Sequence, residues 1–192
     1  GYGLRVEDKE ISLNDPDVVK IIGVFESINS DAPILDKITL PSGLGLNTNA
    51  ILGEKITGST SDAIAQISGL ISATQVEIVY LTSDKFIIGE VVNFDESKIS
   101  STLQSIDATS SLNITSIFDL DKGQRDQFYD YSRIVRKQNF APPTRKLTIV
   151  FDKYDVPTND NGDFYTIESY DEERYGKDIP SIGNKTVRAS DT

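Results

Sequence analysis

Apolar residues in this chain come in short runs rich in β-branched side chains, and each run is cut off by a cluster of Ser, Thr, Asn, Asp or Gly. Such runs suit strands of about four to eight residues better than amphipathic helices. Hydrophobic residues make up 38% of the chain, which excludes a wholly disordered polypeptide. The pattern predicts a mainly β protein built from short-stranded antiparallel sheets. Either a β-sandwich or small β-barrel units would satisfy it, with at most one or two short helices.

The chemistry is narrowed by what is missing, since there is no His, Cys, Met or Trp. Without His there is no Ser-His-Asp relay and no imidazole acid or base near neutral pH. Without Cys there is no thiolate nucleophile, zinc ribbon or iron–sulfur site. The lack of Met predicts a processed product or a piece of a longer protein. Thirty acidic residues against nineteen basic ones leave a net charge of −11. That surface repels phosphate backbones and anionic lipid, so neither nucleic acid nor membrane is an expected partner. No apolar run approaches the roughly 18 to 20 residues of a membrane span.

Four segments are expected along the 192 residues. Residues 1–48 hold N-terminal strands and a connector, with Val18–Phe25 and Ile34–Leu40 as strands. The Gly-rich loop 41–45 lacks a following Lys-Ser/Thr and a helix pattern, so it is not read as a phosphate cradle. Residues 49–95 form a small β-barrel-like module, with strands at 50–58, 63–67, 76–81 and 86–92, the last two joined by a hairpin-sized connection at 82–85. Within it Ile51-Leu-Gly-Glu-Lys-Ile56 recurs as Ile87-Ile-Gly-Glu-Val-Val92. The local reading is a Gly before a solvent-facing Glu, placed where a strand bends. Residues 96–117 read as a polar linker, although Ile99, Leu103 and Ile106 also allow one short helix. Residues 118–192 form an aromatic-rich β domain in which 123–137 fits either a helix or a strand.

Five basic residues, Arg133, Arg136, Lys137, Arg145 and Lys146, lie between Tyr131 and Phe151 with no acid among them, and residues 152–178 then carry nine acids against three bases. Pairing between these complementary blocks, or across a subunit boundary, is expected, with Tyr129 and Tyr131 as further interface candidates. Asp121, Arg125, Asp126 and Asp130 could be drawn as an acid/base cluster, but no spacing identifies a catalytic pair and structural ion pairs are expected. Strands at 146–154 and 162–170 should flank a loop ending in Asn161-Gly162. An EF-hand register in that loop would place Pro157 at the first ligand position, so no calcium site is expected, and no other cofactor is implied.

Residues 118–180, carried by Gly123-Gln-Arg-Asp-Gln-Phe-Tyr-Asp-Tyr-Ser-Arg-Ile-Val-Arg-Lys137, Lys146-Leu-Thr-Ile-Val-Phe151 and Asn161-Gly-Asp-Phe-Tyr-Thr-Ile-Glu-Ser169, resemble structural tail and baseplate proteins of contractile-tailed phages, cyanophage-like in wording. Gly53-Glu-Lys-Ile-Thr-Gly-Ser-Thr-Ser-Asp-Ala-Ile-Ala65 is similar to a short β-module of phage tail and fibre proteins. The resemblance implies a non-enzymatic virion component that packs against other virion proteins in a homo- or hetero-oligomer, assembled in the host cytoplasm. A carbohydrate- or receptor-binding β-module of a tail fibre or adhesin is the alternative. Its host surface glycan would stack on Tyr129, Tyr131, Tyr165 and Tyr170.

Overall fold

The computed structural model describes residues 5–125 and 130–154, together with two short strands at 181–182 and 185–186. Backbone contacts divide the chain into a unit ending at Asp152 and another beginning at Lys153. The described elements of the first unit, in chain order, are β1 (Glu10–Ser12), β2 (Val18–Ser27), β3 (Asp36–Thr39), the single helical turn α1 (Leu46–Asn49), β4 (Lys55–Gly58), β5 (Ile64–Leu70), β6 (Gln75–Tyr80), β7 (Val91–Phe94), β8 (Ser100–Thr102), β9 (Ser105–Asp107), β10 (Ser111–Asn113), a 3-10 turn (Thr115–Ile117), β11 (Phe118–Asp121), β12 (Arg133–Arg136) and β13 (Leu147–Lys153). The protein is mainly β, as its run lengths predict. In the second unit β14 (Ser181–Ile182) pairs antiparallel with β15 (Lys185–Thr186).

The largest sheet has the order β8-β7-β4-β5-β6-β3-β9. Its two end strands are consecutive in the chain, separated only by Leu103 and Gln104. Leu103 N–H donates to Glu90 O at 2.8 Å on one side, and Gln104 N–H to Thr39 O at 3.0 Å on the other. One continuous stretch, 100–107, therefore bridges the two ends of the curled sheet and closes it into a small barrel. Alternation along the strands turns Ile38, Ile56, Ile67, Val76, Ile78, Val92 and Phe94 inward, with Leu46 of α1 and Leu103 completing the interior.

The other two sheets, β1-β12-β11 and β10-β2-β13, share a core of Ile11, Val24, Phe118 and Ile134. β2 serves two cores at once. Ile21 and Val24 belong to this one, whereas Ile22 and Phe25 join Leu35, Val79 and Val150. The odd step from Ile22 to Phe25 means the side-chain alternation slips across Gly23. A Cβ there would stand 2.7 Å from Phe25 Cζ, so only glycine fits under that ring.

Several local expectations are corrected. Residues 50–54 and 86–90 are turns rather than strand, and β6 forms no hairpin with β7; its neighbours are β5 and β3. A helical turn does follow the Gly-rich loop. Residues 95–110 hold strands β8 and β9 in place of a linker or helix, because Ile99, Leu103 and Ile106 all reach the barrel core from an extended chain with a break at Leu103-Gln104. Within 123–137, the described end is strand β12. The loop 155–163 and the strand expected at 162–170 lie outside the described residues.

Candidate interface and paired carboxylate clamps

The basic stripe divides into three environments. Arg133 is buried, its side chain 7% exposed, because β12 is the central strand of its sheet; its Nε meets Asp121 Oδ2 at 2.9 Å and its Nη1 meets Glu10 Oε2 at 3.3 Å. Arg136 Nη1 donates to the carbonyl of Glu7 at 3.1 Å, and Lys137 Nζ to that of Ser116 at 2.8 Å with Asp119 at 3.4 Å. Arg145 and Lys146 are exposed where the chain enters β13; the Thr144 and Arg145 N–H groups are held by Glu26 Oε1 at 2.7 and 3.0 Å. Arg133 thus meets carboxylates of β1 and β11, and Lys137 a carboxylate of β11 and a carbonyl of the 3-10 turn. Tyr131 is 53% exposed, whereas Tyr129, Tyr165 and Tyr170 lie outside the described residues.

Asp121 is the hub of this cluster. Arg125 grips it with both terminal nitrogens at 3.0 and 2.8 Å, and the Gly123 N–H donates at 2.9 Å. The Arg125 hydrogen bond holds the Asp121 carboxyl below its ordinary range, against a smaller opposing effect of burial. Asp121 and Arg125, drawn from sequence as members of an acid/base cluster, form an ion pair here; Asp126 lies outside the described residues.

The recurring Gly-Glu sequence has a larger meaning than a strand bend. Both glutamates are buried, Glu54 1% and Glu90 6% exposed, so the solvent-facing reading is corrected. Each ends a tight turn with Gly53 (φ 88°) or Gly89 (φ 94°) at its third position, as a type II turn requires. Within each turn the glutamate folds back: Glu54 Oε1 accepts from Ile51 N–H at 2.6 Å, and Glu90 Oε1 from Ile87 N–H at 2.7 Å. The second oxygen reaches the opposite copy. Glu54 Oε2 accepts from Glu96 and Ser97 N–H at 3.1 and 2.9 Å, and Glu90 Oε2 from Thr60 and Ser61 N–H, both at 2.9 Å.

Every one of these contacts recurs on adding 36 to the residue number. Thr57 lies opposite Asn93 in the β4–β7 pair, flanked by Ile56–Phe94 and Gly58–Val92, so that pair maps onto itself. Ser59 N–H to Val91 O and Asp95 N–H to Lys55 O obey the same shift, as do Gly53 N–H to Ile67 O and Gly89 N–H to Leu103 O. The barrel is thus an internal duplicate about a local two-fold axis, its halves stitched by exchanged carboxylates. Equivalent core positions differ in size in a complementary way: Ala50, Gly58 and Ala63 in the first copy answer Phe86, Phe94 and Ile99 in the second. The clamps differ too. Ser61 Oγ donates to Glu90 Oε1 at 2.8 Å, whereas its counterpart Ser97 Oγ is buried and has no hydrogen-bond partner among the described residues.

The sequence signal for this pair was the repeated Gly-Glu itself, extended by a Ser seven residues later in each copy. A cleft of about 80 Å³ beside β3 and β6 is lined by Asp36, Tyr80, Lys85 and Ser111, among others. It is small against the roughly 300 Å³ at which ligand pockets begin, and its charges are engaged: Lys85 bonds Asp36 at 3.3 Å and lies over the Tyr80 ring. Among the described residues no group of three acidic side chains is placed to hold a metal ion. No protein-family model matches the chain, and neither a curated protein nor a solved structure matches it.

Proposed function

We propose that this chain is a non-enzymatic structural domain of a tailed-phage virion protein, a tail, baseplate or fibre-connector component that acts through protein–protein packing. The observation that carries the reading is the use made of the buried charges. Glu54 and Glu90 are saturated by backbone N–H groups, and Asp121 by Arg125 and Arg133, so their lone pairs hold turns and strands together. A general acid or base needs a lone pair or proton directed at a substrate. The resemblance of residues 118–180 to tail and baseplate proteins supports the virion setting. Of the basic stripe, Lys137, Arg145 and Lys146 are exposed, and Arg145 and Lys146, where the chain enters β13, are assigned to the contact with neighbouring virion subunits.

Antibody raised against the purified chain should decorate tails or baseplates of intact particles in negative stain. Arg145→Glu combined with Lys146→Glu should reduce assembled particles while leaving the chain's own melting curve unchanged. Unlabelled particles, together with saturable glycan binding that Tyr131→Ala removes, would overturn the reading in favour of the receptor-binding module.

A further inference from the structure

We propose that the barrel carries an acid-operated release, in which protonation of Glu90 lets the second half drop the Thr60-Ser61 turn of the first and the barrel opens along the β4–β7 pair. This is independent of the virion reading.

The geometry is unusual for its one-sidedness. Each carboxylate is buried and accepts at least three hydrogen bonds, all from backbone N–H groups or a hydroxyl, and among the described residues neither forms an ion pair. A carboxylate is an acceptor only, which suits three converging donors. Protonation turns one oxygen into an O–H donor facing N–H donors, and buried N–H groups are left without an acceptor. Three of the four donors on Glu90, like two of the three on Glu54, belong to the opposite half, so the loss falls on the junction between halves. The bonds within each turn, Glu54 N–H to Ile51 O and Glu90 N–H to Ile87 O, do not involve the carboxyls and survive.

The charged and titratable groups on the segments packed against the clamps modulate this without neutralising it. Against Glu90 stand Asp62 beyond the Thr60-Ser61 turn and Tyr80, whose phenol is pushed up chiefly by burial and further by the charges of Asp36 and Glu90. Lys85 is occupied over the Tyr80 ring and by Asp36. Against Glu54 stand Lys55, Asp95, Glu96 and Lys98, and Lys98 Nζ is bound to the Asp95 carbonyl at 2.6 Å. For Glu90, burial pushes the carboxyl up, but the N–H groups of Ile87, Ser61 and Thr60 with the Ser61 hydroxyl more than cancel it, leaving it below its ordinary value of 4.5. A carboxyl lowered on folding contributes stability that is complete above 4.5 and is lost as pH falls through the folded value. Release at Glu90 therefore operates below pH 4.5 and is silent at neutrality.

The test uses the full chain. Urea unfolding of wild type and of Glu90→Gln should be followed from pH 7 to pH 3. The linked proton of Glu90 changes the unfolding constant by up to about tenfold per pH unit, and that component should vanish in the variant. Profiles that run parallel in the two proteins would overturn the proposal. Should the variant fail to fold, the wild type still decides. Carboxyl carbon titration of Glu90 should coincide with loss of amide-exchange protection at Thr60 and Ser61, and a carboxyl that titrates while those amides stay protected would sink it.

Discussion

Glycine stands at three positions around the clamps for two different reasons, and substitution separates them. At Gly89 an added Cβ meets nothing within 4 Å, and at Gly53 its nearest neighbour is Gln66 Nε2 at 3.7 Å, so only the positive φ opposes a side chain. Gly53→Ala and Gly89→Ala should each cost about 1–2 kcal/mol in urea unfolding, the strain of the left-handed region. At Gly58 the added Cβ would stand 2.8 Å from both oxygens of Glu90, so Gly58→Ala must displace the carboxylate and should cost more than either. The paired serines give a sharper contrast. Ser61→Ala removes a hydroxyl bound to a buried charge and should cost about 1.5–3 kcal/mol, whereas Ser97→Ala deletes a buried hydroxyl with no partner among the described residues and should be neutral or stabilising by thermal melt. At this scale the sequence was half legible: Gly before Glu marked a bend, but nothing local told whether the carboxylate pointed out or in. That depended on donors 30 and 42 residues away.

Among the elements, β12 shows how a strand can carry a charge inward. Arg133 lies opposite Asp121 on β11 and Ser12 on β1, so its guanidinium is enclosed by both neighbours and needs their carboxylates. Arg133→Met should destabilise the sheet by about 2 kcal/mol, less than the 3–5 of a fully enclosed pair because Asp121 and Glu10 keep access to water. Asp121→Asn should cost less in that background than in the wild type, as measured in a double-mutant cycle, because one of its two arginine partners is already gone. Strands with dense β-branched residues, β2 and β6 among them, were readable from composition alone. β8 and β9 were not, since Ser100, Ser101, Thr102 and Ser105 carry no apolar pattern and their pairing is dictated by β7 and β3. The extended Ile-Ile-Gly run before β7 misled for the opposite reason, because its apolar residues sit on an exposed turn, Ile87 52% and Ile88 61% exposed.

For the molecule as a whole, the way the barrel closes sets an order of events. β5 and β6 join through a short turn and can meet early, but Lys37 waits for Asp107, seventy residues further on, before β3 finds its second neighbour. Contacts so far apart in the chain are formed late because the connecting loop must first lose its freedom. Leu103→Ala, at the point of closure, should therefore leave the refolding rate nearly unchanged and speed unfolding. Ile78→Ala, inside the β5–β6 hairpin, should slow refolding in stopped-flow measurements, and the reverse pattern would place closure before the hairpin. Until residues 100–107 arrive, β7 and β3 present unpaired backbone edges, which are templates for pairing with another chain. A growing polypeptide is then most prone to wrong association after β7 has emerged and before Asp107 has followed it.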